Sequence, residues 1–189
     1  MPKLVNYPER QVAIAEAAWR LVLRHGVGGV SVRAVAAEAD LATASLRQAF
    51  PTQDALLGFC FELVLERAAA RITALPAGGD ARERAERTLL EVLPLDAERA
   101  AEMQVWLSFA GASMTDPLLS SIYARGHDAL RELCLAVIQA LAPEVDAQIE
   151  AGRLHALIDG LAMHLVSRRD PTAIEAAPRI LGTHLDSLG

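Results

Sequence analysis

A chain of 189 residues with 52% hydrophobic and 22% charged side chains is globular, not disordered, and can bury one sizeable core or two small ones that share it. Its net charge of −6 is unevenly spread: residues 1–50 carry six Lys/Arg against four Asp/Glu, and residues 51–189 carry twelve against twenty, which favours a polyanion at one end only. No apolar run approaches the ~20 residues that span a bilayer, the N-terminal MPKLVNYPERQ lacks the apolar stretch of a leader, and Cys60 and Cys134 are too far apart for a metal-type pair; no membrane association and a cytoplasmic, reducing location are therefore expected.

With 36 alanines and few β-branched runs the chain reads as all-α. A first helix is expected from Pro8 to His25, with proline at its first position, Gly26 at its end, and Ile14, Ala18 and Leu21 as the buried stripe. After the GVGG loop, Ser31 caps a short helix over 32–38, whose Val35, Ala36 and Ala39 face inward. ADLA turns the chain into a second short helix, 43–49, which offers Leu46 and Phe50 to the core and is stopped by Pro51. A longer helix follows over 53–75, with Leu56, Leu57, Cys60, Leu63, Val64 and Ile72 on its apolar face.

Beyond PAGGD every signal is helical. Asp80 caps a helix to Leu93, where Pro94 stops it, and Asp96 caps another to Met114. Asp116 and Pro117 open a helix to Leu141, with Leu119, Ile122, Gly126, Leu130, Leu133, Val137 and Leu141 in its stripe. Pro143 heads a helix over 144–167, and Asp170 with Pro171 begins the last, where Pro178 predicts a kink or a late start.

Three helices in the first 50 residues, the last two joined by a four-residue turn, describe a helix-turn-helix. In that motif the second helix of the pair meets the major groove with short or hydrogen-bonding tips. Thr43, Ala44, Arg47 and Gln48 answer that demand: arginine reads guanine, glutamine reads adenine, and small methyl groups meet the thymine methyl. Short packed helices with polar tips also occur in helical proteins that bind no nucleic acid, so spacing alone leaves both readings open.

The pattern Arg10, Ile14, Ala17-Ala18, Leu21, Gly26, Ser31-Val32, Val35-Ala36, Ala39, Leu41, Ser45-Leu46, Phe50-Pro51 and Asp54-Ala55-Leu56 resembles the DNA-binding domain of TetR-type regulators. The segments VWLSFAGASMTDPLLSSI (105–122) and LHALIDGLAMHLV (154–166) resemble the C-terminal domain of that family's choline/betaine-responsive subgroup. The resemblance implies an N-terminal DNA-binding domain, residues 1–52, with Ser31, Arg33, Thr43, Ala44, Ser45, Arg47, Gln48 and Thr52 toward double-stranded DNA. It also implies a helical domain, 53–189, that binds a small-molecule effector and forms a homodimer on a palindromic operator. Three positions depart from the family: Arg47 stands where a tyrosine is usual, Ala49 for histidine and Gln53 for lysine. The tyrosine and lysine are phosphate contacts in the family, so the positioning contacts of this chain rest on other residues, Arg47, Arg33 and Thr52 among them.

Gly152, Ala156 and Gly160 recur every fourth residue, and Leu154, Leu157, Ile158, Leu161 and Leu165 form a bulky stripe beside them. Glycine inside a helix costs about 1 kcal/mol against alanine, and close helix approach is the usual reason. That approach is either within one subunit or, as the resemblance implies, in a dimer interface shared with the last helix, including Leu181 and Leu185. Met103, Trp106, Phe109, Tyr123 and His127 are candidates to line an effector cavity, or else ordinary core; an apolar or weakly polar ligand is the default. His155 and Asp159 could share a metal at i, i+4, but a third ligand nearby in sequence is absent, and there is neither a phosphate loop nor a nucleophile elbow. The expectation is a ligand-responsive regulator without cofactor or catalysis, most simply a repressor; the alternative is a helical binding module whose DNA head has lost its function.

Overall fold

The structure, a computed structural model, describes residues 7–168 and 170–188, with side chains from Arg10 onward; the N-terminal residues on which the leader reading rests lie largely outside it. The described residues form nine α-helices and no strand: α1 (Tyr7–His25), α2 (Val32–Glu38), α3 (Thr43–Ala49), α4 (Gln53–Ala74), α5 (Ala81–Leu90), α6 (Ala97–Ser113), α7 (Pro117–Leu141), α8 (Ala147–Arg168) and α9 (Pro171–Asp186). A 3₁₀ turn at Val27–Gly29 follows α1. Two compact units divide the chain. One takes the chain up to Leu65 together with Val105–Tyr123; the other takes Glu66–Gln104 and the chain from Ala124 onward.

In the first unit α1 packs on α2 and α2 on α3. Ile14, Ala15, Ala17, Ala18, Leu21 and Val22 are buried on α1, Val35 and Ala36 on α2, and Leu46 on α3. Leu46 is fully buried and anchors α3 to this core. Ala39, expected inward, is only half-buried. Gly26 ends α1 at φ 71°, and its amide donates to the Val22 carbonyl at 2.8 Å. Ser31 is the α2 cap, its Oγ accepting from the Ala34 amide at 3.1 Å, worth about 1 kcal/mol.

The turn between α2 and α3 is a Schellman motif. Leu41 N–H donates to the Ala36 carbonyl at 2.8 Å and Asp40 N–H to Ala37 at 3.4 Å, with Asp40 at φ 53° in the left-handed region. Aspartate is one of the few side chains tolerated there. This motif aims α3.

In the second unit α5 and α8 both pack against α9, around a core that includes Leu89, Leu93, Cys134, Ile138, Leu154, Ile158, Leu181 and Leu185. Asp80 and Glu83 form a reciprocal capping box at the start of α5. That helix stops at Leu90, three residues before the expected Leu93, for a local reason: the Leu90 carbonyl would need the N–H of Pro94, which has none. Residues 91–93 close instead with i→i+3 bonds, Leu93 N–H to Leu90 at 3.3 Å among them.

Three further expectations change. The helix expected from 144 starts at Ala147, because Asp146 caps it through the Gln148 and Ile149 amides at 3.1 and 3.2 Å; Pro143 only heads the preceding turn. On α7 the inner stripe passes through Cys134 and Ile138, both fully buried, while Leu130, Leu133 and Leu141 are half-buried. The last helix neither starts late nor breaks: α9 begins at Pro171 and runs through Pro178. Burial of Leu181 and Leu185, about 1.5–3 kcal/mol each, offsets the ~3 kcal/mol cost of an interior proline.

A buried carboxylate holds part of the second unit together. Glu102 is 4% exposed and accepts from Arg71 Nη2 at 2.8 Å and Nη1 at 3.2 Å. Arg71 Nε and Arg99 also reach Glu91, at 3.3 and 3.4 Å.

Candidate functional sites

The outward face of α3 carries Ala44, Arg47 and Gln48, all exposed, with Thr43 and Ser45 half-buried at its flanks and Leu46 anchoring the opposite side. Among the sequence candidates on the neighbouring elements, Arg33 is exposed near the start of α2, and Ser31 is half-buried. Thr52 is exposed and caps α4, its Oγ1 accepting from the Ala55 amide at 3.1 Å. A capping hydroxyl still has its own proton to donate, so Ser31 and Thr52 can each offer one hydrogen bond to a phosphate. Ala49 and Gln53, two of the positions that depart from the family pattern, are exposed.

The structure redistributes the head's positive charge. Arg20 Nε meets Glu38 at 2.8 Å and Arg24 joins the same carboxylate. The hydrogen bonds from Arg20 and then Arg24 hold the Glu38 carboxyl below its ordinary range. Those two cations are committed within the unit, whereas Arg33 and Arg47 project outward. Arg10, on α1, donates from Nη2 to Ser45 Oγ on α3. Sequence reasoning placed Arg10 in the family pattern but gave it no role, since nothing in the spacing says that α1 reaches the flank of α3.

The effector candidates fall into both units. Trp106, Phe109 and Tyr123 belong to the first, where they surround Phe61 of α4. Ring centroids lie 5.2 Å apart for Phe61–Trp106, 4.9 Å for Phe61–Phe109, 6.3 Å for Phe61–Tyr123 and 5.2 Å for Trp106–Tyr123. Phe61 and Phe109 are fully buried. Phe61 was not among the expected residues; its place in the apolar run of α4 reads as plain core. Met103 and His127 belong to the second unit. Met103 packs on that unit's core, and the His127 ring lies 4.6 Å from that of buried His155.

His155 Nε2 is 3.5 Å from Asp159 Oδ2. Burial pushes the His155 pKa down, with His127 and Arg131 adding to it and Asp159 opposing; burial pushes Asp159 up. Among the described residues no three His, Cys, Asp or Glu side chains are grouped to hold a metal ion. Burial raises both the Cys60 and Cys134 thiols to about 12, far from the thiolate a redox sensor needs.

The small stripe of α8 faces outward. Gly152 and Ala156 are exposed and Gly160 half-buried, and a Cβ added at either glycine would meet nothing within 4 Å. Among the described residues, none packs closely against either glycine. Ile149 and Met163 of α8 and Ile180 of α9 stand 60%, 54% and 46% exposed. Leu181 and Leu185, at 0% and 1%, lie inside the protomer's own core. Elsewhere on α9 and at its C-cap, Ile180, Thr183 and Ser187 are exposed and His184 is half-buried. With Arg153, Ala156 and Leu157 of α8 they line an open groove of about 500 Å³. The Nε2 of His184 is buried without a partner, and burial, then Arg153, lowers its pKa against the pull of Glu150.

A helix-turn-helix ahead of a helical body defines a class of DNA-binding regulators, and comparison with known proteins agrees. The family profile of bacterial regulatory proteins of the tetR family matches residues 14–58, and that of the BetI-type transcriptional repressor C-terminal domain matches residues 81–189. The chain is 34% identical to the HTH-type transcriptional regulator PksA of Bacillus subtilis, over all of this chain and 94% of that protein. It is 27% identical to the HTH-type transcriptional regulator BetI of Burkholderia mallei, over all of this chain and 97% of that protein. Among solved structures, a transcriptional regulator from Saccharomonospora viridis in complex with choline superimposes with a TM-score of 0.75 at 26% identity, covering 95% of this chain and 96% of that one. The chain belongs to the TetR family, with a BetI-type C-terminal domain. It is a ligand-responsive, DNA-binding transcriptional regulator and not an enzyme.

Proposed function

We propose that the protein is a cytoplasmic homodimeric repressor that binds a palindromic operator and is released from it by a small molecule. Residues 1–52 read the DNA, and residues 53–189 bind the effector and dimerise. The observation that carries this reading is the exposed strip Ala44, Arg47 and Gln48 on a helix anchored by Leu46 and aimed by a rigid turn. Thr43, Ser45, Ser31, Arg33 and Thr52 flank that strip as phosphate or sugar contacts. Two such helices related by a two-fold axis meet half-sites about one turn of DNA apart. The outward stripe Gly152, Ala156 and Gly160, with exposed Ile149, Met163 and Ile180, supports a second copy of the chain as the occupant of that face. No described helix is long and apolar enough to cross a membrane, which agrees with a cytoplasmic location.

For the effector, the faces of Trp106 and Tyr123 suit a small organic cation through cation–π attraction, with Phe109 in the same aromatic cluster of the first unit. Choline, bound in the Saccharomonospora regulator, is the first compound to try. A coupling of about 1–3 kcal/mol between the sites would change DNA affinity 5- to 150-fold. Fluorescence anisotropy on the DNA upstream of its own gene, with and without choline and related quaternary amines, tests the reading. Salt-dependent binding of that DNA is expected, weakened by an effector that also raises the melting temperature. A folded protein that binds no DNA at low salt would leave only the helical binding module.

A further inference from the structure

Successive residues of a helix are about 100° apart. On α3 this puts Ala44 and Gln48 on one outward strip, with Arg47 on one flank and Ser45 on the other. A helix lying in the major groove has a phosphate wall along each flank. Arg47 supplies a cation on its own side. The opposite side of α3 carries only Ser45, and the family's lysine position is Gln53 here. The structure fills that deficit from another helix: Arg10 of α1 reaches Ser45, its Nη2 donating to the serine Oγ.

We infer that Arg10 is a DNA-binding residue with two roles: it holds the first turn of α3 through Ser45, and it presents its guanidinium to the backbone phosphate on the flank opposite Arg47. A guanidinium has five N–H donors in a fixed fork, and one bond to Ser45 leaves enough for a phosphate. Arg20 and Arg24, the other arginines of α1, are bound to Glu38, which leaves Arg10 as the arginine of that helix free to do this. The inference rests on α3 being the reading helix.

The test is a salt titration of Arg10→Gln, Arg10→Lys, Ser45→Ala and Arg47→Ala on a mixed-sequence duplex of about 30 base pairs, enough for two half-sites. Arg10→Gln keeps a donor for Ser45 and removes the charge, so it should weaken binding about eightfold per protomer at 0.1 M salt and lower the slope of log K against log salt by about 0.9 per protomer. Arg10→Lys should keep the slope, and Ser45→Ala should weaken binding without lowering the slope, because the serine carries no charge to release a counterion. If Arg10→Gln and Arg10→Lys share the wild-type slope while Arg47→Ala weakens binding, Arg10 makes no phosphate contact and the inference falls alone. If wild type binds the duplex no better than Arg47→Ala, the reading helix itself has been misassigned. Thermal melts of each variant ensure that affinities are compared between folded proteins.

Discussion

The indole N–H of Trp19 donates to the carbonyl oxygen of Cys60 at 2.9 Å, tying α1 to α4 inside the first unit. Cys60 lies between Phe59, whose ring is 5.0 Å from Phe50 at the end of α3, and Phe61, whose ring stacks on Trp106 at 5.2 Å. Three successive residues of α4 thus touch α1, the end of the reading helix and the aromatic cluster. Trp19→Phe removes the hydrogen bond and part of a buried ring, and should cost about 1–3 kcal/mol in urea unfolding. An unchanged unfolding midpoint would mean that the bond adds nothing to the packing.

Asp40 holds a left-handed conformation that glycine adopts without strain. Asp40→Gly should therefore raise stability by up to about 1 kcal/mol, less the entropy that glycine adds to the unfolded chain. DNA affinity should stay within about twofold, because the turn's two hydrogen bonds use only backbone atoms. A large loss of affinity with intact stability would show that the aspartate side chain, not the turn, matters to α3.

His155 and His184 both have pKa values pushed below the ordinary 6.5 by burial. In the pH range between 6.5 and the folded value the unfolded chain binds more protons than the native one. The contribution is thus intact above about 6.5 and is lost as pH falls below it. Unfolding midpoints should drop from about pH 7.5 to about pH 5.5 in wild type, and less so in His155→Gln. Asp159, raised by burial, works in the opposite direction at lower pH. A wild-type midpoint that is flat over that interval would refute the assignment.

Gly160→Leu places a bulky side chain where the protomer leaves open space. The subunit should keep its fold, and dimerisation should weaken by at least about tenfold, since 1.4 kcal/mol of lost contact suffices. Sedimentation at micromolar concentration reads the change. An unaltered dimer would mean that the partner sits on another face.

Local chemistry determined most of the helix plan. Ser31, Asp80, Asp170, Gly26 and the prolines act within one turn of chain, so α2 and α3 lie at 32–38 and 43–49 as their caps and stops require. The strip on α3 was legible for the same reason, because helical periodicity alone decides which side chains share a face. Where the plan was off, at Leu93, Pro143 and Pro178, a missing donor, a later cap or packed leucines overrode the nearest signal. Only the tertiary structure decided the rest. Leu181 and Leu185 turned into the core while Ile180 and Thr183 turned out, and Arg10 found Ser45 across 35 positions of sequence. Periodicity identifies two faces of a helix without saying which one the neighbours cover, and a contact between distant residues depends on how helices cross, which no short-range pattern encodes.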